Sequence, residues 1–362
     1  MAFTAMRFYQ FRNLQSAEIP VHSEQVFFVG ENGQGKTNFL EAVYLLCYGS
    51  SFRTRKDDSL IRSGADSMAV HGVFTHQGIE RVIQVRIVGG KKEVRVDDQV
   101  IKDRRELVEQ IPCIVFSHED IDFVKGPPEM QRYFFNQTGT MLGIQFLDDL
   151  RRYTRVLKTR NQVLKDGRYD LLDLYDSQLC EYGEVIQERR RELTEQFNAV
   201  FLDVFSRVSG LKPSVEIQYQ PSWSSTLSSD QLREHVYLRR EADISQRTTT
   251  SGPHRDRFVF SLMGEDFLPQ ASTGQLRLIS LILRVAQARL LADMRDSKPI
   301  LLIDDVLLEL DPERRRRFIE VLPEFEQAFY TFLPDEHIIR RIEGDSTVGF
   351  RVENGSFQRI TS

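Results

Sequence analysis

Residues 30–37 read Gly30-Glu31-Asn32-Gly33-Gln34-Gly35-Lys36-Thr37, and this stretch decides the fold. It matches the phosphate-loop pattern G-x-x-x-x-G-K-[ST] at every fixed position. The apolar run 25–29 predicts a buried strand before the loop, and residues 38–47 predict a helix after it. Glycines let backbone N–H groups turn inward, and a helix N-terminus carries partial positive charge, so both favour a bound phosphate. The stretch therefore predicts a nucleoside triphosphate site between a strand and a helix.

Two side chains of this loop have distinct predicted roles. Lys36 can reach the β- and γ-phosphates of a nucleotide, and Thr37 can ligate Mg²⁺. The remaining members of the loop are expected to contact the phosphates as well. The candidate phosphate contacts are Gly30, Glu31, Asn32, Gly33, Gln34, Gly35, Lys36 and Thr37.

An acidic motif follows a second apolar run. Residues 300–303 predict a buried strand that ends in Asp304 and Asp305. Asp304 is placed to hold Mg²⁺, directly or through water, and Asp305 can polarise an attacking water. Taken alone, the two carboxylates would also fit the polar exit of an ordinary strand. Together with the phosphate loop they favour catalytic roles in nucleotide hydrolysis.

A third motif, Ser272-Thr273-Gly274-Gln275, opens a long apolar helix. Ser272, Gly274 and Gln275 could offer a hydroxyl and free N–H groups to an anion. A helix cap explains the same residue types. The motif alone leaves both interpretations open.

The composition is that of an ordinary globular protein, with 41% hydrophobic and 28% charged residues. The net charge of −5 argues against a globally basic nucleic-acid binder, but leaves room for a local basic face. Cys47, Cys113 and Cys180 are far apart in sequence, so we expect no metal or redox pair and a reducing, cytoplasmic compartment. No run is long and uncharged enough to cross a bilayer, so we expect no membrane partner.

The length of 362 residues favours two lobes. We expect residues 1–125 to form an ATPase lobe with the phosphate loop and an antiparallel meander, and residues 126–250 to form a mainly helical second lobe. Residues 251–362 are expected to contain the third motif and the carboxylate strand, and to return to the first lobe. The predicted fold class is α/β, with a mixed sheet and a helical second lobe.

Residues 144–209 predict two amphipathic helices packed as a hairpin, with Leu150, Leu157 and Leu164 in the apolar stripe of the first helix. A basic stripe beside it could neutralise DNA phosphates without reading bases, and a solvated helix face is the alternative interpretation. The basic residues on this side of the helix are Arg151, Arg155, Lys158 and Lys165.

The order of the motifs resembles that of the ABC-type ATPases, including the SMC-like DNA-repair ATPases. Several shorter segments narrow the resemblance to RecF proteins, and they extend over nearly the whole chain. These segments are 8–14, 51–54, 115–120, 124–128, 157–161, 252–256 and 302–311. Departures from the RecF pattern occur at Gln131, Asn136, Arg257 and Leu308, and the switch histidine of ABC transporters has no clear counterpart after residues 329–331.

The resemblance implies a fold of the ABC/SMC-type ATPase head and an ATP-dependent homodimer. Each ATP would lie between the phosphate loop of one chain and the Ser272, Gly274 and Gln275 segment of the other. Arg12 would approach the nucleotide phosphates, and Arg53 and Arg55 would couple DNA to the nucleotide site. A solvated strand residue or charge run is the alternative for these arginines.

The function implied by the resemblance is ATP-dependent DNA repair and replication with weak, DNA-stimulated ATP hydrolysis. Such a protein would recognise single-strand gaps and junctions of single- and double-stranded DNA, and would act in recombinational repair and the SOS response. With RecR and RecO, it would help load recombinase onto gapped DNA. Two alternatives stay open, the nucleotide-binding subunit of an ABC transporter and an ATP-gated DNA clamp with negligible turnover.

Overall fold

The computed structural model describes residues 2–76, 78–103, 105–210, 214–295, 298–334 and 346–360. The strands are β1 (Ala2–Tyr9), β2 (Glu18–Pro20), β3 (Gln25–Val29), β4 (Ser67–His76), β5 (Ile79–Val88), β6 (Lys91–Val96), β7 (Gln99–Val100), β8 (Cys113–Phe116), β9 (Glu216–Gln220), β10 (Arg257–Leu262), β11 (Glu265–Asp266), β12 (Ile300–Asp304), β13 (Gln327–Phe332), β14 (Thr347–Glu353) and β15 (Ser356–Arg359). The helices are α1 (Lys36–Tyr48), α2 (Arg105–Gln110), α3 (Asp122–Lys125), α4 (Pro128–Leu142), α5 (Ile144–Asp166), α6 (Leu172–Ser209), α7 (Ser229–Leu238), α8 (Arg240–Gln246), α9 (Thr273–Arg295) and α10 (Pro312–Val321).

The chain divides into two compact units. The first consists of Met1–His118 and Leu291–Ser362, and the second of Glu119–Leu290. The first boundary therefore lies before the expected position at 125, and the chain returns at 291 rather than at 251. The later return has a simple cause, because β10 pairs with β9 and so belongs to the sheet of the second unit.

A six-stranded sheet of the first unit carries the phosphate loop, with the strand order β15-β14-β3-β13-β12-β8. All neighbours are parallel except β14 and β15. Helix α1 packs on this sheet through Phe39, whose ring lies 4.3 Å from that of Phe28 and 6.0 Å from that of Phe329. The carboxyl ends of β3 and β12 meet at one edge, where ligands bind in open α/β sheets. This edge brings the phosphate loop and the Asp-Asp motif together.

The second sheet of the first unit has the order β2-β1-β4-β5-β6-β7 and is antiparallel between all neighbours. The predicted meander is thus confirmed. Strand β1 ends at Tyr9, and both Gln10 and Arg12 beyond it adopt positive φ angles, 47° and 50°. These left-handed residues turn the chain out of the sheet.

In the second unit, α5 and α6 form the predicted helical pair, joined by a 3₁₀ turn at Tyr169–Leu171. The predicted apolar stripe of α5 is displaced around the helix. Leu164 is buried as predicted, but Leu150 and Leu157 are only partly buried, whereas Tyr153, Val156 and Arg160 are buried. Because the charged Arg160 belongs to the buried face, apolar periodicity alone does not identify that face.

Helix α4 was not predicted from the sequence. Two consecutive prolines, Pro127 and Pro128, are typical of a break in the chain, yet Pro128 is the first residue of α4. Proline is favoured at this position because the first turn of a helix leaves its N–H groups unbonded in any case. The helix buries Phe134 and Phe135 against Phe197 of α6, with ring centroids 5.8 and 5.5 Å apart.

Candidate nucleotide-binding site

Close packing around the phosphate loop requires glycine at two of its positions. A Cβ on Gly30 would clash with the carbonyl oxygen of Val352. Gly35 has φ of 118°, and a Cβ there would lie 2.8 Å from Leu14 Cδ2. Only glycine reaches such a backbone conformation without strain. The pattern that the sequence shows is therefore also a requirement of the local packing.

Lys36 is buried at the start of α1, and the loop wraps around it. Its ammonium group donates to the carbonyl oxygens of Gly30 at 2.7 Å and Glu31 at 3.1 Å. It also lies 3.8 Å from Asp305 Oδ2. The structure thus brings the predicted phosphate-binding lysine and the predicted water-polarising carboxylate into one site.

Asp304 and Thr37 are joined directly, as a shared Mg²⁺ site would require. The Thr37 hydroxyl donates to Asp304 Oδ1 at 2.9 Å, and the hydroxyl of Thr331 donates to the same oxygen at 2.9 Å. Burial raises the pKa of Asp304 above its usual value, while the hydrogen bonds from Thr37 and Thr331 act in the opposite direction. Thr331 was not identified from the sequence, because no motif points to it.

The donor set fits Mg²⁺ rather than a transition metal. Thr37 and Asp304 offer hard oxygen ligands, and Mg²⁺ is usually held by one or two such protein groups together with phosphates and water. Among the residues that the structure describes, no group of three or more His, Cys, Asp or Glu side chains could hold a metal ion by itself. Thr37 and Asp304 would therefore share the ion with a bound nucleotide.

Asp305 has an unusual backbone and an unused acceptor. Its φ angle is 55°, which is left-handed and uncommon for a residue other than glycine. Within the described part of the chain, its buried Oδ1 atom has no hydrogen-bond partner. A buried carboxylate oxygen that accepts no hydrogen bond destabilises the folded state, so a donor from a water or a ligand is expected to bind to it.

Lys36, Thr37 and Asp305 line a cleft of about 210 Å³. That volume is below the roughly 300 Å³ at which typical ligand pockets begin, so the cleft suits part of a nucleotide better than all of it. The lining residues are Asn32, Gly33, Gly35, Lys36, Thr37, Asn38, Arg53 and Asp305.

The three arginines with predicted roles differ in their surroundings. The guanidinium group of Arg12, which is expected at the phosphates, forms two hydrogen bonds to Glu41, at 2.8 and 2.9 Å. Arg53 lines the cleft, where it donates to Asn38 Oδ1 at 2.9 Å and lies 3.5 Å from Glu41. Arg55 is exposed. Glu41 is fully buried on α1 and was missed, since one glutamate in a helix carries no sequence signal.

The third motif lies at the N-terminus of α9 in the second unit. Ser272 accepts from the Gln275 backbone N–H at 3.2 Å, and the Gln275 side chain accepts from the Ser272 N–H at 2.8 Å. This reciprocal arrangement is a capping box, so the cap interpretation is correct within the chain. Ser272 and Gly274 are nevertheless exposed, and a Cβ on Gly274 would meet nothing within 4 Å. Nothing in the surroundings described here demands the glycine.

The basic residues predicted on α5 are all exposed. They lie on the side of the helix opposite the buried Tyr153, Val156 and Arg160, although Arg151 also lies 3.7 Å from Asp148. The set consists of Arg151, Arg155, Lys158 and Lys165.

Two of the departures from the RecF pattern take part in hydrogen bonds of the second unit. Asn136 Oδ1 accepts from Arg190 at 3.0 and 3.1 Å, and Gln131 donates to the Val124 carbonyl oxygen at 3.2 Å. Arg257 is exposed on β10. The side chain of Leu308 lies outside the described residues.

A family model, the RecF/RecN/SMC N terminal domain, matches residues 3–355. The DNA replication and repair protein RecF of Treponema pallidum (strain Nichols) is 41% identical over 352 residues, which cover 96% of this chain and 98% of that protein. The chain belongs to the RecF family. A RecF protein of Agathobacter rectalis is 31% identical, with 99% of each chain covered.

Solved structures agree with this assignment. A recombination mediator protein RecF bound to ATP, from the RecFOR pathway, aligns with a TM-score of 0.88 and 26% identity, covering 99% of this chain and 97% of the other. An Smc head aligns with a TM-score of 0.58 at 16% identity, which shows the shared fold alone. The fold is therefore the ABC/SMC-type ATPase head with a mixed sheet and a helical second unit, as predicted. No helix in the described ranges is long and apolar enough to cross a membrane.

Proposed function

We propose that this RecF-family chain binds ATP with Mg²⁺ in the cleft, closes as a homodimer on DNA, and reopens after slow hydrolysis. One observation carries the proposal. Lys36, Thr37 and Asp305 line a single cleft although they come from two distant segments of sequence, and Asp304 accepts a hydrogen bond from the hydroxyl of Thr37. Phosphoryl transfer depends mainly on positioning and on charge stabilisation, and this is the arrangement that such chemistry needs.

Each residue of the cleft would have a separate task. Lys36 and the backbone N–H groups of residues 30–37 hold the phosphates, and Lys36 stabilises the charge that develops on them. Thr37 and Asp304 would hold Mg²⁺, which neutralises phosphate charge when it is bound. Asp305 orients the attacking water and accepts its proton. The proposal places Arg53 nearer to the phosphates than Arg12, because Arg53 lines the cleft.

A second copy of the chain would complete the site. Ser272, Gly274 and Gln275 are the segment proposed to meet the phosphates of the other copy. The exposure of Ser272 and the open space above Gly274 support this role, because both leave room for close approach. The small volume of the cleft supports it too.

DNA is the proposed partner of the dimer. Arg151, Arg155, Lys158 and Lys165 would neutralise backbone phosphates, and Arg53 and Arg55 would couple DNA to the nucleotide site. Recognition of single-strand gaps and of junctions between single- and double-stranded DNA rests on family membership. So does recombinase loading with RecR and RecO, in recombinational repair and the SOS response.

The variant Lys36→Arg tests the proposed chemistry. We expect ATP turnover to fall at least about 100-fold, because arginine cannot reproduce the compact ammonium contact inside the loop. Release of inorganic phosphate, measured with and without duplex DNA, is the readout. Lys91→Arg on β6 is the matched control, since Lys91 is exposed.

The same assay separates the proposed ATPase from a DNA clamp with negligible turnover. Turnover that depends on Lys36 and rises with DNA supports the enzyme. Unchanged turnover in Lys36→Arg would refute the role of this lysine, and no turnover in the wild-type protein would favour the clamp.

A further inference from the structure

Thr331 is a buried residue of the first unit that no sequence motif marks. It lies on β13, and its side chain is 1% exposed. In the parallel pairing of β12 and β13 it stands opposite Asp304. The strand register therefore sets its hydroxyl beside the acidic motif.

The Thr331 hydroxyl contacts both acidic residues at once. It donates to Asp304 Oδ1 at 2.9 Å and accepts from the backbone N–H of Asp305 at 2.9 Å. An ionised carboxylate only accepts and a backbone N–H only donates, so the orientation of the hydroxyl is fixed. One side chain thereby determines the position of a carboxylate and of the backbone that follows it.

The contact with Asp304 leaves that carboxylate available for a metal ion. Thr37 and Thr331 both donate to Oδ1, and neither of these two bonds uses Oδ2. Partners that orient a metal ligand in this way tune its affinity for the ion.

The contact with Asp305 supports a turn that is unfavourable in isolation. Left-handed backbone is sterically unfavourable for a residue other than glycine, and Asp305 has φ of 55°. The bond from its N–H to Thr331 is one of the interactions that hold it there. In this conformation Asp305 Oδ2 lies 3.8 Å from Lys36 Nζ, and Asp305 lines the cleft.

We propose that Thr331 is a positioning residue for ATP hydrolysis, whose hydroxyl sets the Mg²⁺-binding carboxylate of Asp304 and the backbone turn that aims Asp305 at the attacking water. This inference rests on the proposed ATPase function. Loss of the Thr331 hydroxyl is therefore expected to lower the rate of the chemical step and to raise the Mg²⁺ concentration that turnover requires. Nucleotide binding without metal should change little.

The decisive comparison is between Thr331→Val and Thr331→Ser. Valine keeps the branched shape and removes the hydroxyl, so kcat should fall about 10- to 100-fold and the Mg²⁺ concentration for half-maximal turnover should rise. Serine keeps the hydroxyl and should restore kcat to within about threefold of wild type. Binding of a fluorescent ADP analogue in EDTA should stay within about twofold in both variants.

A control substitution elsewhere in the first unit and a second variant at position 331 keep the test valid if Thr331→Val does not fold. Thr4→Val removes a hydroxyl from β1 of the same unit, where it makes a weaker 3.3 Å bond to the Val73 carbonyl oxygen, and should leave turnover unchanged. If Thr331→Val does not fold, Thr331→Ala, which removes the same hydroxyl, is judged by the same criteria.

The possible results separate this inference from the proposed function. Wild-type kcat in Thr331→Val, or equal losses in Thr331→Val and Thr331→Ser, would overturn the role of the hydroxyl while turnover still depended on Lys36. Wild-type turnover that does not depend on Lys36 would overturn the proposed function, and this inference with it.

Discussion

Arg160 is a fully buried charge at the centre of the second unit. Its guanidinium group donates to Asp176 at 2.6 Å, to Asp243 at 2.7 Å and to the Thr249 hydroxyl at 2.8 Å. Arg240 donates to the other oxygen of Asp176 at 2.6 Å. Removing one member of such a group leaves charges without compensation in a medium of low dielectric constant.

We therefore expect Arg160→Met to lower the free energy of unfolding by about 3–5 kcal/mol. Urea unfolding followed by tryptophan fluorescence measures this, because Trp223 is the only tryptophan of the chain and is buried in the second unit. Arg152→Met, an exposed change on the same helix, should shift stability by no more than about 0.5 kcal/mol. Equal stability of the two variants would contradict the account.

The role of a residue can be predicted from the sequence when the residue belongs to a local motif. Lys36 and Asp304 could be assigned because their neighbours make the pattern specific. In the structure Lys36 lies beside Asp305, and Asp304 is hydrogen-bonded to Thr37. Thr331, Glu41 and Arg160 could not be assigned, because their partners lie far away in sequence. The bond between Arg160 and Asp243, for example, joins residues 83 positions apart.

At the scale of elements, helix α5 has two faces with separate tasks. The buried face packs Tyr153 and Val156 into a core with Leu179 and Ile186 of α6. The opposite face carries the exposed basic residues. A helix fixed by its core on one side can present a rigid row of cations on the other.

Reversing two of these charges, with Arg155→Glu and Lys158→Glu together, should weaken duplex DNA binding in the presence of ATP. It should also reduce the slope of log affinity against log salt by about two, one for each lost phosphate contact. Fluorescence anisotropy across a salt series measures both quantities. Arg316→Glu with Arg317→Glu on α10 is the control, and an equal effect there would show that only net charge matters.

Element positions could be predicted where the periodicity is strong and uninterrupted. The bounds of β3 agree with the predicted run at 25–29, and β12 contains the predicted run at 300–303. The predictions were wrong where a special residue altered the pattern. Pro128 concealed the start of α4, and Arg160 displaced part of the predicted face of α5.

At the scale of the whole molecule, the central claim is that the chain carries two separate parts of a nucleotide site. The cleft lies in the first unit, and the Ser272 to Gln275 segment opens a helix in the second. The proposed dimer joins the cleft of one copy to that segment of the other, and ATP is the link. Family membership supports this arrangement, and the resemblance of the motif order to that of ABC-type ATPases implies it.

Size-exclusion chromatography with light scattering tests the claim most directly. Asp305→Asn should retain ATP, because it removes the proposed proton acceptor and leaves the phosphate contacts in place. With Mg²⁺ and ATP this variant should elute at twice the chain mass of 42.1 kDa, and without nucleotide at the lower mass. Adding Gly274→Leu should preserve ATP binding and abolish the dimer, because a Cβ at this exposed position meets nothing within 4 Å in its own chain, whereas the larger side chain would obstruct a second copy. A mass that does not respond to ATP, or a dimer that tolerates Gly274→Leu, would contradict the account.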